Sequence, residues 1–187
     1  MRIKNIFNLL MFSGFLLVSS CEKKASIDQP SASNQNIRPP NSVKAPDFTL
    51  ASLEGDWVTL SDMKGNVILL NFWVTWCGPC KMEIPDLNKL QEKYQDKGFE
   101  VVGITLTSGS PEYISKFAEN WGMNYKILTD IRGNETEIVT NTYGQALGIP
   151  ISGVPTSFLI DRDGYIVKTY VGPRSERVFY NDLKHYL

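Results

Sequence analysis

The chain has 187 residues, 42% of them apolar and 21% charged, with a formal net charge of −1. That length and balance suit one soluble globular domain plus an extension. Without a run of Lys or Arg there is no basic face for phosphates, which excludes a nucleic-acid binder.

Arg2 and Lys4 precede an apolar stretch at residues 6–18, and Ser19 and Ser20 lead directly into Cys21. A basic start before a short apolar core reads as an export signal over residues 1–20, shorter than a comfortable membrane span. An uncleaved membrane anchor is the other reading. The segment Val18-Ser19-Ser20-Cys21 resembles the lipobox of bacterial lipoproteins, although that pattern most often has Leu at the first position. The resemblance implies cleavage before Cys21 and a lipid on its sulfur; the alternative is a stray thiol. Residues 21–44 are rich in Ser, Asn, Gln and Pro. They bury too little to offset ordering entropy and are expected to form a flexible tether spanning on the order of 25 Å. Outside the cytosol, disulfides persist.

The folded domain is expected over residues 45–187. Residues 47–50 and 58–60 are short strand candidates around the turn Glu54-Gly55-Asp56. Residues 67–73 are a near-continuous apolar run rich in branched and aromatic side chains, the pattern of a strand buried on both faces. A helix follows from Cys77 towards Gly98, with Leu87, Leu90 and Tyr94 at helical spacing and Pro85 as a kink. Residues 99–106 read as a second buried strand. Ser110-Pro111 starts a helix with Ile114, Phe117, Ala118 and Trp121 on one face. Residues 125–128 are a strand, and Asn134 with Glu137 reads as a capping box for a helix ending before Gly148. Residues 156–160 and 165–170 flank the turn Asp161-Arg162-Asp163-Gly164 as a hairpin, and a helix from about Arg174 closes the domain. This alternation predicts an α/β fold with a central mixed β-sheet flanked by helices.

Besides Cys21, the only cysteines are Cys77 and Cys80. A lone C-x-x-C is also half a zinc site, but no second Cys or His pair completes one, and His185 is the single histidine. Following a buried strand and opening a helix, Cys77 is placed where free N–H groups and the helix dipole favour a thiolate. Cys80, one turn on, is expected to lie shielded beneath it. An exposed, activated sulfur and a shielded one suit a two-step exchange, in which Cys77 attacks a disulfide and Cys80 resolves the mixed disulfide.

The segment Asn71-Phe72-Trp73-Val74-Thr75-Trp76-Cys77-Gly78-Pro79-Cys80-Lys81-Met82-Glu83-Ile84-Pro85 resembles the active-site segment of the thioredoxin superfamily, in particular its exported TlpA/ResA branch. The resemblance runs from about Ala45 to the C-terminus. It implies a thioredoxin-like fold with an N-terminal hairpin and a central insertion, for which residues 107–147 are long enough. It also implies extracytoplasmic reduction of protein disulfides or apocytochrome haem-site cysteines, a membrane electron donor of thiol type, and no cofactor. A monomer is expected. Thioredoxins have a buried Asp where this chain has Asn71; the branch instead places a Glu where Glu83 stands. Spacing of three puts Glu83 on the Cys80 face, where partial burial near a thiol raises a carboxyl pKa towards the range of proton transfer. The alternative for Glu83 is a solvated carboxylate near the helix start. Gly153-Val154-Pro155-Thr156 matches the superfamily's cis-proline element, which implies that Val154, Pro155 and Thr156 meet the substrate chain. Gly78 and Pro79 complete the contact surface, and Trp76 shapes its rim.

Peroxiredoxin chemistry is excluded, because Leu70 and Val74 occupy the positions where that family needs Pro and Thr. Two alternatives stay open: a DsbA-like dithiol oxidase, which the Gly78-Pro79 dipeptide disfavours, and a Cu(I)-binding or chaperoning module using the same cysteines as soft ligands.

Overall fold

The apolar run at residues 67–73 forms the central strand of the domain, and all seven of its side chains are buried. The computed structural model describes residues 38–187; the export signal, Cys21 and the first part of the tether lie outside the described residues. In chain order the elements are β1 (Val43–Lys44), β2 (Thr49–Ser52), β3 (Trp57–Thr59), β4 (Val67–Trp73), α1 (Gly78–Tyr94), β5 (Phe99–Thr105), α2 (Pro111–Asn120), β6 (Lys126–Thr129), α3 (Glu135–Leu147), β7 (Thr156–Ile160), β8 (Tyr165–Val171) and α4 (Glu176–Leu183). The strands form one mixed sheet in the order β1-β8-β7-β4-β5-β6-β2-β3. Strand β4 pairs parallel with β5 and antiparallel with β7, and β5 pairs parallel with β6. The expected N-terminal hairpin is β2–β3, and it docks on β6, the strand of the central insertion.

The two-residue period of β4 sorts the core into two layers. Val67, Leu69 and Trp73 face Leu87 and Leu90 of α1, Ile114 and Ala118 of α2, and Phe179 and Leu183 of α4. Ile68, Leu70 and Phe72 face Val139 and Tyr143 of α3 together with Phe48, Leu50 and Met63 from the N-terminal segment. By the same period Asn71 falls on the α1 side, which is what brings a polar group of the central strand against α1. Trp121 does not reach the core; it is partly exposed and stacks on Phe117 at 5.8 Å.

Three readings from sequence are corrected. The tether does not run free to Lys44: Val43 and Lys44 pair with Ile166 and Tyr165 as an edge strand. Ahead of it, Arg38 donates to Asp161 at 2.7 Å and Asp163 at 2.6 Å, with its guanidinium 3.9 Å from the centre of the Tyr165 ring. The first strand begins at Thr49 rather than residue 47, because the Asp47 carboxylate accepts the N–H groups of Phe48 and Ser61 and holds a loop instead. The capping box at Asn134 does not form. Glu135 turns back to accept the N–H groups of Ile131, Arg132 and Gly133, and Asp130 accepts that of Thr136. Pro85 lies inside α1, where the sequence reading places it.

In the Arg38 clamp Asp161 is buried and Arg38 half-buried, and the pair joins residues 123 apart in sequence. Paired charges of this kind contribute about 1 kcal/mol. Arg38→Ala is expected to lower the unfolding free energy by that amount, read as a lower urea midpoint at unchanged slope, and an unchanged midpoint contradicts the clamp.

Candidate active site

Cys77 is the N-cap of α1, at φ −82° and ψ 113°, and Gly78 and Pro79 form the first turn of the helix. Pro79 costs nothing there, since the first helical N–H groups have no partner inside the helix. Cys77 and Cys80 are joined as a disulfide with their Cα atoms 5.2 Å apart. The Cys80 N–H donates to Cys77 Sγ at 3.0 Å, so the sulfur sits where the helix start concentrates positive potential.

The expected contrast between an exposed and a shielded sulfur is absent from this oxidised form. Cys77 is 6% exposed and Cys80 3%. The disulfide draws Cys77 onto the first turn, and Cys77 Sγ lies 3.6 Å from the Val154 carbonyl oxygen of the facing loop. Gly78 and Pro79 are exposed above the pair, and a Cβ on Gly78 would meet nothing within 4 Å.

The Val154–Pro155 bond is cis, as the resemblance implies. Val154 is half-buried, whereas the Thr156 hydroxyl donates to the Gly153 carbonyl at 2.7 Å and so holds the loop. Trp76 is 69% exposed. Its indole nitrogen lies 3.5 Å from the Thr107 carbonyl oxygen, and Thr107 has a left-handed φ of 28°. Trp76 and Val154 border an open groove of about 350 Å³ that also reaches Ile151, Asp130 and Glu137.

Glu83 is not a solvated carboxylate: it is 2% exposed. One oxygen accepts the Asn71 amide at 3.1 Å and the other accepts the backbone N–H of Arg174 at 2.8 Å. Burial is the larger influence and outweighs both donors, pushing its pKa up from 4.5 to about 7. Asn71 also donates to the Ser157 hydroxyl at 2.8 Å, and with Glu83 it links β4, α1 and β7. Sequence reasoning singled out Asn71 only as the absence of an Asp. It missed Ser157, which no local pattern marks, and Arg174, which acts through a backbone N–H and leaves no side-chain signature.

A reversible cysteine pair at a helix start, facing a cis-proline loop on this sheet, carries two electrons and needs no further group to do so. Fold and pair together define a thioredoxin-like thiol–disulfide oxidoreductase. The chain belongs to the Redoxin family, whose model matches residues 40–185. It is 37% identical over 144 residues to the thiol-disulfide oxidoreductase ResA of Geobacillus thermodenitrificans, covering 76% of this chain and 74% of that one. It is 35% identical over 136 residues to the thioredoxin-like protein YneN of Bacillus subtilis, covering 72% and 73%. The crystal structure of a thiol:disulfide interchange protein of the thioredoxin family from Chlorobium tepidum matches with a TM-score of 0.67 at 30% identity, over 79% of this chain and 98% of that one.

Proposed function

We propose that the chain reduces protein disulfides outside the cytoplasm while held at a membrane by a lipid on Cys21. The observation that carries the redox part is the placement of Cys77, capping α1 with its sulfur beside the Val154 carbonyl. In the reduced form the Cys77 thiolate attacks a substrate disulfide, forming a mixed disulfide and releasing one substrate thiolate. Cys80 gives its proton to the Glu83 carboxylate, and its sulfur attacks Cys77 Sγ. The Cys77–Cys80 disulfide forms, the second substrate sulfur leaves as thiolate, and two electrons have passed to the substrate. The backbone beside cis-Pro155 pairs with the extended substrate chain, with Val154, Thr156, Trp76, Gly78 and Pro79 around it. Resemblance to the TlpA/ResA branch favours haem-site cysteine pairs of apocytochromes as substrates and a membrane thiol donor for re-reduction.

The tether fits this reading. Arg38 binds the β7–β8 turn, and Ile160 at that end of β7 pairs with Ile68, whereas Thr156 at the other end pairs with Phe72, near Cys77. The chain therefore enters at the pole remote from the disulfide, which leaves the redox face open. Among the described residues no helix is long and apolar enough to cross a membrane.

Two measurements test the reading. Reduced protein mixed with a disulfide-bearing protein is expected to release substrate thiols faster than the oxidised protein oxidises a dithiol substrate. The reverse order replaces the reductase with a DsbA-like oxidase, and tight Cu(I) binding without exchange in either direction replaces both. Mass spectrometry of the mature N-terminus is expected to find an acylated Cys21 as first residue; an intact Met1 or a free Cys21 thiol sinks the lipid anchor.

A further inference from the structure

Three residues connect β8 to the N-cap of α4: Gly172, Pro173 and Arg174. Pro173 has no N–H, so the connection has two backbone donors, and both go to the redox site. The Gly172 N–H donates to the carbonyl of cis-Pro155 at 2.8 Å, one step beyond the Thr156–Val171 pair that ends the ladder. The Arg174 N–H donates to Glu83 at 2.8 Å. Gly172 has φ +81°, a left-handed conformation that a side chain strains, and there the chain turns from the ladder towards α1. The Arg174 guanidinium braces the same turn by donating to the carbonyls of Pro173 at 2.8 Å and Val171 at 2.9 Å.

We propose that Gly172-Pro173-Arg174 is a positioning segment that ties the substrate-binding cis-Pro155 loop to the buried Glu83, so that a chain docked at Val154 alters how firmly the Glu83 carboxyl is held. This rests on the reading of Glu83 as proton acceptor. The Arg174 N–H stabilises the ionised form of Glu83 because a hydrogen bond to a carboxylate is stronger than one to the neutral acid. The other groups that act on Glu83 are the Asn71 amide and the Arg174 guanidinium, which favour ionisation, and Asp86, which opposes it; Tyr125 lies close enough to feel its charge. A shift of Pro155 is passed through one hydrogen bond and two residues to the donor on Glu83.

The test is amide NMR of the disulfide form across pH 5 to 9. The Arg174 amide proton is expected to move downfield as Glu83 ionises, with a midpoint near 7, and to lose that response in Glu83→Gln. When Cys80→Ala protein carries an extended peptide as a mixed disulfide on Cys77, the Gly172 and Arg174 amides are expected to shift together. In Arg174→Pro, which deletes the donor, the Glu83 midpoint, followed through the Asn71 side-chain amide that donates to its other oxygen, should rise by about one unit. Arg174→Ala retains the N–H and should retain the amide response. An Arg174 amide that ignores the Glu83 titration, or is unmoved by the bound peptide, overturns the proposal even if Arg174→Pro fails to fold. If Glu83→Gln slows exchange while that amide stays silent, this proposal alone fails. If exchange rates are untouched by Glu83→Gln, the proton-acceptor reading fails and takes this one with it.

Discussion

Cys80→Ala protein, reduced and mixed with a disulfide substrate, is expected to stop after one half-reaction and accumulate as a mixed disulfide on Cys77. The two sulfurs lie one helical turn apart, close enough to bond, with Cα atoms 5.2 Å apart. Attack by Cys80 is thus intramolecular, and effective molarities for well-oriented groups are on the order of 10⁵ M or more. A millimolar external thiol replaces it poorly, so turnover should fall by at least about a thousandfold. Cys77→Ala should lose turnover as fully but form no adduct. The asymmetry comes from position, because the two cysteines hardly differ in exposure once bonded. Only Cys77 caps the helix, receives the Cys80 N–H and faces the Val154 carbonyl. Limiting alkylation of the reduced wild type should therefore label Cys77 first. An adduct that forms on Cys80 in the Cys77→Ala protein as fast as on Cys77 in the other variant reverses the roles.

What the chain announces in its sequence is what short-range chemistry determines. Residues 67–73 are a strand because every side chain is apolar or, at Asn71, satisfied inside the core. The turn at residues 161–164 is readable because Asp161 accepts the N–H groups of Asp163 and Tyr165, and Gly164, at φ +82°, completes it. The cis bond at Pro155 came only through resemblance, since its four-residue context would suit a trans bond as well. The features that were missed depend on partners far along the chain. Arg38 and Val43 are ordered by the β7–β8 hairpin more than 100 residues away, so a polar composition read them as tether. Asn134 and Glu137 have capping-box spacing, yet Asp130 takes the first-turn N–H of Thr136, and Glu135 turns back to the N–H groups of the preceding loop. Around Glu83 the residue itself was marked by spacing from Cys80, but its two donors come from β4 and from the loop before α4, which no periodicity places together.

Glu83→Gln is expected to change both the stability and the pH dependence of exchange. Glu83 has its pKa raised from 4.5 to about 7, chiefly by burial. The folded chain thus holds this proton more tightly than the unfolded one. Its contribution is fully present below about 4.5, is lost as pH rises towards about 7, and is flat beyond. At about 1.4 kcal/mol per unit, the loss across that window is on the order of 3 kcal/mol. Urea unfolding of the disulfide form at pH 4.5 and pH 8 should show this fall in wild type and not in Glu83→Gln. The variant also leaves one of the two donors, Asn71 or Arg174, without an oxygen, which costs about 1–3 kcal/mol and offsets much of its gain at high pH. The pH slope is therefore the diagnostic quantity, and absolute stability is secondary. In exchange, the carboxylate must be ionised to take the Cys80 proton, so the wild-type resolving rate should rise through about pH 7. Glu83→Gln should lose that inflection and be slower by about tenfold near neutral pH, less than the usual worth of a general base because thiols ionise readily. Removing the negative neighbour also lowers the Cys80 pKa, which restores part of the rate at high pH. Stopped-flow reduction of a model disulfide across pH 5 to 9 separates these effects. Superimposed rate profiles, together with equal stability slopes, leave Glu83 a buried carboxylate with no part in proton transfer.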